Sequence, residues 1–545
     1  MVKKTEFASA AELSVQNVIR HGDTDIFPFP FENHAFFDKQ PELISLIKKY
    51  DENFEEYLIQ YPPKNVSSLT PATYSGFRWA TQIDPIWNMH FLASVISIGT
   101  KIEEARIGQD HETIFSYRFN PNKETGDIFD RDTGWLQFMR RSLKLAEIHP
   151  FTVICDISEF YPRLGHHRLE NALRQVAGDT PYPKKIMSFL SNFSNTNSFG
   201  LPIGGPAARL LSEITINQVD KLLNSKGIVF TRFADDYHLF SQSKEDAYRF
   251  LIYLSEKLFI NQGLTLQKSK TRIMSSAEFK ATNPIKGEQE TGGNQIVDPP
   301  ADHTRNTLMR FSLRFDPYSP TADDDYEALK AEVKKFDIIG LLKQELAKSR
   351  VHTSLARKII SAIKFLEGST KQDAVLSVLE NCDVLYPIFS SVLMMIDDQF
   401  DDLEIDTQTS VIDRIQQLIN QDSHVFRVDI HLSFAIRVLS HRNTSETQLL
   451  LQKLFDTRPS ELVRRDIILV MARWGEWYWL SDLKNRYREL SAPERRAFIA
   501  SSFILRDEGK HWRDHMKKEF DPFEEFILQW ASEKKGLQQE WSVPL

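Results

Sequence analysis

Three aspartates stand where apolar runs stop, and their setting suits metal-assisted phosphoryl transfer. Asp235 and Asp236 are adjacent, between the runs Val229 to Phe233 and Tyr237 to Phe240. Two neighbouring negative charges repel each other and want water or a cation. Mg²⁺ suits such a pair, because it prefers carboxylate oxygens together with substrate phosphates. Asp156 ends a third run, Phe151 to Cys155. A carboxylate able to meet a carboxylate pair is the arrangement of two-metal phosphoryl transfer, in which the metals lie about 3.5–4 Å apart and clamp the attacking and leaving oxygens. Asp156 also has a plainer reading, as a cap before the turn at Ser158 to Pro162. Other acidic groups, Asp323 to Asp325, Asp397-Asp398 and Asp401-Asp402, lie in polar or helix-like surroundings and read as solvated surface or helix starts.

The elements that must position these groups are legible in the pattern. Val229, Thr231 and Phe233 alternate with Phe230 and Arg232, the period of a strand, and Tyr237 to Phe240 reads as its return. Phe151 to Cys155 reads as a buried strand that Pro162 bars from continuing. Between them, Ser198 to Gly205 is punctuated by Gly and Pro as a loop, and Leu210, Leu211 and Ile214 mark one face of a following helix. Gly204 and Gly205 allow a close backbone approach to a ligand.

In this order these stretches resemble the palm of a reverse transcriptase. Asp156 to Tyr161 is similar to the first metal motif, and Gly200 to Ile214 to the motif that positions template and nucleotide. Phe233-Ala234-Asp235-Asp236 is similar to the aromatic-x-Asp-Asp box. Gly263 to Thr271 resembles the motif that brings a lysine to the triphosphate. Arg78 to Asn88, Phe115 to Phe119 and Gly200 to Pro206 narrow the resemblance to bacterial defence-associated reverse transcriptases, including the abortive-infection branch. That resemblance implies an α+β fold: a fingers-palm domain followed by an all-α HEAT-like helical repeat domain. It implies dNTPs as substrates, a DNA product and two Mg²⁺ ions. It also implies a homo-oligomer, and synthesis primed from a protein hydroxyl without a supplied template. Two alternatives stay open: copying a bound non-coding RNA, or an inactive palm that only binds nucleic acid or a phage protein.

Residue by residue, the resemblance makes Asp156 and Asp235 the bridging metal ligands, with Asp236 less direct and Ile157 beside them in the metal set. Lys270 is the lysine facing the triphosphate, with Lys268 second. Tyr161 is the aromatic gate against a ribose 2′-OH. Phe160, Pro202, Ile203 and Gly204 join it at the substrate. Arg106, Arg118 and Lys123 are candidates for phosphate contacts, since guanidinium and ammonium groups neutralise phosphate oxygens, and Arg118 is preferred. The chain departs from the family twice. Ile203 stands where an amide side chain is usual, and Phe233 where Tyr is commoner.

Composition bounds the rest. A chain of 545 residues with 41% hydrophobic and 26% charged residues has room for two or three domains. The boundaries read as 1–71, an N-terminal extension packing on the fingers; 72–280, fingers and palm; 281–301, a linker rich in Gly and Pro; and 302–545, a helical repeat. The two cysteines exclude a disulfide scaffold and suit a reducing cytoplasm. No apolar stretch is long enough to span a bilayer, so no membrane is expected. A net charge of −8 argues against coating nucleic acid, though a channel needs only local positive potential. His166-His167 reads as surface or core. Trp474, Trp477, Trp479, Trp512 and Trp530 read as core aromatics before base-stacking platforms.

Overall fold

The computed structural model describes residues 2–24, 26–194, 197–282, 308, 330–331, 333–334, 336–537 and 542–545. The chain forms two compact units: Met1–Asn65, Thr81–Gly293 and Asp521–Phe523 in the first, Val66–Ala80, Asn294–Phe520 and Glu524–Leu545 in the second. The expected boundary at 71/72 therefore cuts through a segment of the second unit. The linker expected over 281–301 lies, past Thr282, outside the described residues.

In chain order the strands are β1 (Val66–Pro71), β2 (Phe77–Gln82), β3 (Phe119–Asn122), β4 (Asp127–Phe129), β5 (Phe151–Asp156), β6 (Val229–Phe233), β7 (Asp236–Ser241) and β8 (Arg272–Ser275). Four of them make one antiparallel sheet in the order β6-β7-β5-β8. Its register follows from apolar matching. Val153 lies opposite Leu239 and Ile273, and all of Thr152, Val153 and Cys155 are buried. Thr152 and Val153 point to opposite faces and both are buried, so β5 is covered on both sides.

Helices cover this sheet. The Trp135–Ile148 helix buries Phe138 and Met139 beside Phe115, with Phe233 of β6 packed against them. The Pro206–Ser225 helix is buried on nearly every side, and Pro at its start supplies a pre-set φ with no N–H to waste. Near the N-terminus, Val2–His21 packs on Pro85–Ile96, where Ser14 Oγ donates to the Met89 carbonyl at 2.9 Å.

The second unit is helical from Ile338 to Leu537, apart from the β1–β2 hairpin. Alternate helices stack on one another: Thr353–Ile363, Phe389–Gln399, Asp429–Leu439, Glu461–Arg473 and Ala492–Ser501 form one continuous row. Their spacing along the chain is uneven, in line with a sequence that shows no strict repeat. Trp530 is buried, Trp512 packs edge-on to Tyr487 and Phe498, and Trp474 Nε1 donates to the Ser440 carbonyl at 2.9 Å. Only Trp477 of the five is exposed. Among the described residues no helix is long and apolar enough to cross a membrane.

Candidate active site

Sheet register brings the aspartates together. Asp156 is the last residue of β5 and lies directly across from Asp236, the first of β7. Cross-strand partners in an antiparallel ladder stand about 4.5–5.5 Å apart at Cα. Asp235 occupies the turn between β6 and β7, and its carbonyl accepts from the Ile157 N–H at 3.0 Å. The three carboxylates thus share one end of the sheet.

The turn is strained. Ala234 has φ 53°, a left-handed value that an L side chain resists at a cost of about 1–3 kcal/mol. Its carbonyl is held by Arg232 Nη1 at 3.0 Å. Arg232 is fully buried, with its other bonds to Asp220 and Glu213. A buried ionic cluster therefore fixes the hairpin that carries the aspartates.

Lys270 reaches the same end, with its Nζ 2.5 Å from Asp156 Oδ2. The loop before it is pinned by the Gln267 N–H donating to the Asp156 carbonyl at 2.8 Å. Partial burial pulls the Lys270 pKa down, but the bond to Asp156 and the charges of the three aspartates outweigh it and leave it raised. Lys268 is exposed.

Burial, then the charges of Asp235 and Asp156, push the Asp236 carboxyl up to about 7, with Lys270 offsetting part of the rise. The sign for stability follows. A carboxyl with a folded pKa above its unfolded value of about 3.9 binds more protons in the folded state between those values. Its contribution is favourable to folding at low pH and is lost as pH rises toward 7. In EDTA, the melting temperature of Asp236→Asn should exceed that of the unaltered protein by a margin that grows between pH 5 and pH 8. A margin constant across that range would contradict the assignment.

The donor set fits a hard divalent cation: all-oxygen, acidic, and strained by its own repulsion. Among the described residues no group of three or more His, Cys, Asp or Glu is gathered tightly enough to hold a metal as it stands. With Lys270 on Asp156, an ammonium takes up part of the charge that a cation would balance.

The remaining expected residues divide into two groups. Tyr161 follows Phe160 in a short helix, Phe160–Arg163, and the two rings meet at 5.5 Å. The Tyr161 hydroxyl is buried near Tyr117 and Ser212, and burial pushes its pKa well up. The loop with Pro202, Ile203 and Gly204 is tied to that helix by the Leu201 N–H donating to the Tyr161 carbonyl at 2.9 Å. Gly200 and Gly204 have φ of 103° and 105°, which only glycine adopts readily. His166, a core residue, bonds the Gly200 carbonyl at 2.8 Å.

Arg106 and Arg118 are different, and the expectation of phosphate contacts is corrected for both. Each is buried and spends its guanidinium internally. Arg106 bonds Glu213, Glu103 and the Ser116 and Tyr117 carbonyls, while Arg118 bonds Glu103 and the Ile107 and Ile114 carbonyls. Lys123 is exposed, 4.0 Å from Glu12. The cation that sequence reading passed over is Arg209. Its guanidinium lies 5.4 Å from the Tyr117 ring, and its charge acts on both Tyr117 and Tyr161. Its place one turn into the helix after the Gly-Pro loop was the available signal.

Residues 92–308 match the family model described as reverse transcriptase (RNA-dependent DNA polymerase). This segment is a reverse transcriptase domain, with RNA-directed DNA polymerase as its enzyme class. No curated protein sequence matches the chain. Among solved structures, the chain is similar to a telomerase from Candida albicans in complex with a fragment of telomeric RNA, at 10% identity and a TM-score of 0.29, over 65% of this chain and 67% of that one. An apo telomerase from Candida tropicalis is similar at 12% identity and a TM-score of 0.28, over 68% and 71%.

Proposed function

We propose that the chain polymerises dNTPs into DNA at the end of the β6-β7-β5-β8 sheet, with Mg²⁺ held by Asp156, Asp235 and Asp236 and by the backbone at Ile157. The single observation that supports this most is the pairing of Asp156 with Asp236 across β5 and β7, with Asp235 on the adjoining turn. Two bound Mg²⁺ ions would supply activation of the attacking hydroxyl and charge neutralisation at the α-phosphate. Lys270, already beside Asp156, is placed to neutralise or protonate the departing pyrophosphate. Arg209 takes the part first given to Arg118, a guanidinium near the nucleotide. Tyr161, fixed by Phe160 and by the Leu201 contact, presents its ring to the sugar.

The biological setting we propose is antiphage defence in the cytoplasm, by a homo-oligomer that makes DNA from a protein primer without an external template. The sequence resemblance supports this, together with Ile203, which offers no amide to a templated nucleotide. The competing setting is a bound non-coding RNA that is copied. Purified protein given single dNTPs and Mg²⁺ separates them. Incorporation of one dNTP alone, with DNA found covalently on the protein, supports the first, whereas co-purified RNA whose complement is the product sinks it.

Tyr161→Val should lower the ratio of dNTP to rNTP incorporation by about one order of magnitude or more, because a smaller side chain leaves room for the 2′-OH. An unchanged ratio would place the gate elsewhere.

A further inference from the structure

Tyr117 stands in a conformation that its side chain resists. Its φ is 45°, in the left-handed region that glycine favours. Such strain persists only where the surroundings over-determine it, and it gathers at functional sites. Here the surroundings are the buried ionic groups. Arg106 donates to the Tyr117 carbonyl at 2.9 Å and to the Ser116 carbonyl at 2.7 Å. The Ser116 hydroxyl donates to Glu213 at 2.6 Å, and the Phe119 N–H donates to Glu103 at 3.1 Å. The chain is thus pinned on both sides of Tyr117.

That backbone sends the Tyr117 ring toward groups of the proposed site. The ring lies 5.9 Å from that of Phe233, on the hairpin that carries the aspartates, and 5.4 Å from that of Phe129 on β4. The Arg209 guanidinium lies over it at 5.4 Å, within reach of a cation–π contact. The Tyr117 hydroxyl lies beside the Tyr161 hydroxyl, which is shut from water and has no well-aligned hydrogen bond among the described residues. Phe160 meets the Tyr161 ring edge-on at 5.5 Å. Removing Tyr117 opens space beside Tyr161, and a ring that can tilt excludes a 2′-OH less strictly.

We propose that Tyr117 is a positioning residue for sugar discrimination, holding the Tyr161 ring in place without touching the nucleotide. The proposal rests on the reading of Tyr161 as the gate.

The test compares kcat/KM for a dNTP and its matching rNTP, with Mg²⁺ and the full chain. Tyr117→Gly removes the ring and suits the left-handed backbone, which offsets part of the lost packing. Its ratio of dNTP to rNTP should fall at least about fivefold. Tyr117→Phe keeps the ring and loses only the hydroxyl beside Tyr161. It keeps the question answerable should Tyr117→Gly fail to fold, and its ratio should fall at least about twofold. A merely structural role would slow both nucleotides alike, so a ratio unchanged in the folded variants would overturn the proposal. In a Tyr161→Val background neither change should lower the ratio further, because Tyr117 acts only through Tyr161. A further fall of the same size there would overturn the positioning role and put Tyr117 against the sugar itself. If Tyr161→Val alone leaves the ratio unchanged, the gate reading fails and takes this one with it. If Tyr161→Val lowers the ratio and the Tyr117 variants do not, only the role of Tyr117 is lost.

Discussion

Asp235→Asn should reduce nucleotide incorporation by about three orders of magnitude or more, because a lost metal ligand removes several kcal/mol of transition-state stabilisation and each ~1.4 kcal/mol is a decade in rate. The same change should leave the protein folded. Asp235 sits on a two-residue turn between β6 and β7 and is only partly buried. Substitutions at such positions usually stay within about 0.5 kcal/mol. The change also removes the largest neighbouring charge acting on Asp236, so the raised pKa of that carboxyl should fall back toward its ordinary range. Asp401→Asn, at an exposed acidic pair of the helical unit, serves as the control and should leave incorporation unchanged. Incorporation at the normal rate by well-folded Asp235→Asn would remove the aspartates from the chemistry.

The part of this site that could be read from sequence is the part carried by local period. Alternation over Val229 to Phe233 located β6, and the apolar run over Phe151 to Cys155 located β5. Lys270 came from the resemblance of Gly263 to Thr271 to a reverse transcriptase motif, and its ammonium lies beside Asp156. What period cannot reveal is whether a charged residue faces water or another charge. Arg118 looks the same in sequence whether it meets a triphosphate or Glu103. Glu213 was invisible for a related reason: it lies among Leu210, Leu211 and Ile214, on a helix whose apolar stripe suggested an opposite, solvated face. Because that helix is buried nearly all round, the opposite face holds the ionic cluster. Grouping of Val66–Ala80 with the helical unit rests on contacts far apart in sequence, such as the Tyr74 hydroxyl donating to the Val384 carbonyl at 2.5 Å, and no local pattern announces those.

The ionic cluster sets the second large expectation: Glu213→Ala should destabilise the first unit by about 3–5 kcal/mol, the usual cost of removing one partner from a buried ion pair. Three guanidiniums, Arg106, Arg118 and Arg232, meet three carboxylates, Glu103, Glu213 and Asp220. Burial alone would raise the Glu213 pKa, but Arg232 and Arg106 together hold it below the usual range, so it carries its charge inside the protein. Glu213 accepts from Arg232 Nη2 at 2.7 Å, Arg106 Nη2 at 2.6 Å and Ser116 Oγ at 2.6 Å. Without it one positive charge is left uncompensated in a site closed to water. Against a total stability of about 5–15 kcal/mol for a domain, the loss is large enough to appear as a lower midpoint in urea and a lower melting temperature. Glu213→Gln keeps one acceptor oxygen but loses the charge and turns an NH₂ toward groups that themselves donate, so it should recover only part of the loss seen in Glu213→Ala. Activity should suffer even at temperatures where Glu213→Ala remains folded. The reason is that Arg232 also holds the Ala234 carbonyl, and a guanidinium held by Asp220 without Glu213 fixes that residue at φ 53° less firmly. A variant with an unchanged urea midpoint would show that the cluster is hydrated in solution and that the hairpin is held by the sheet alone.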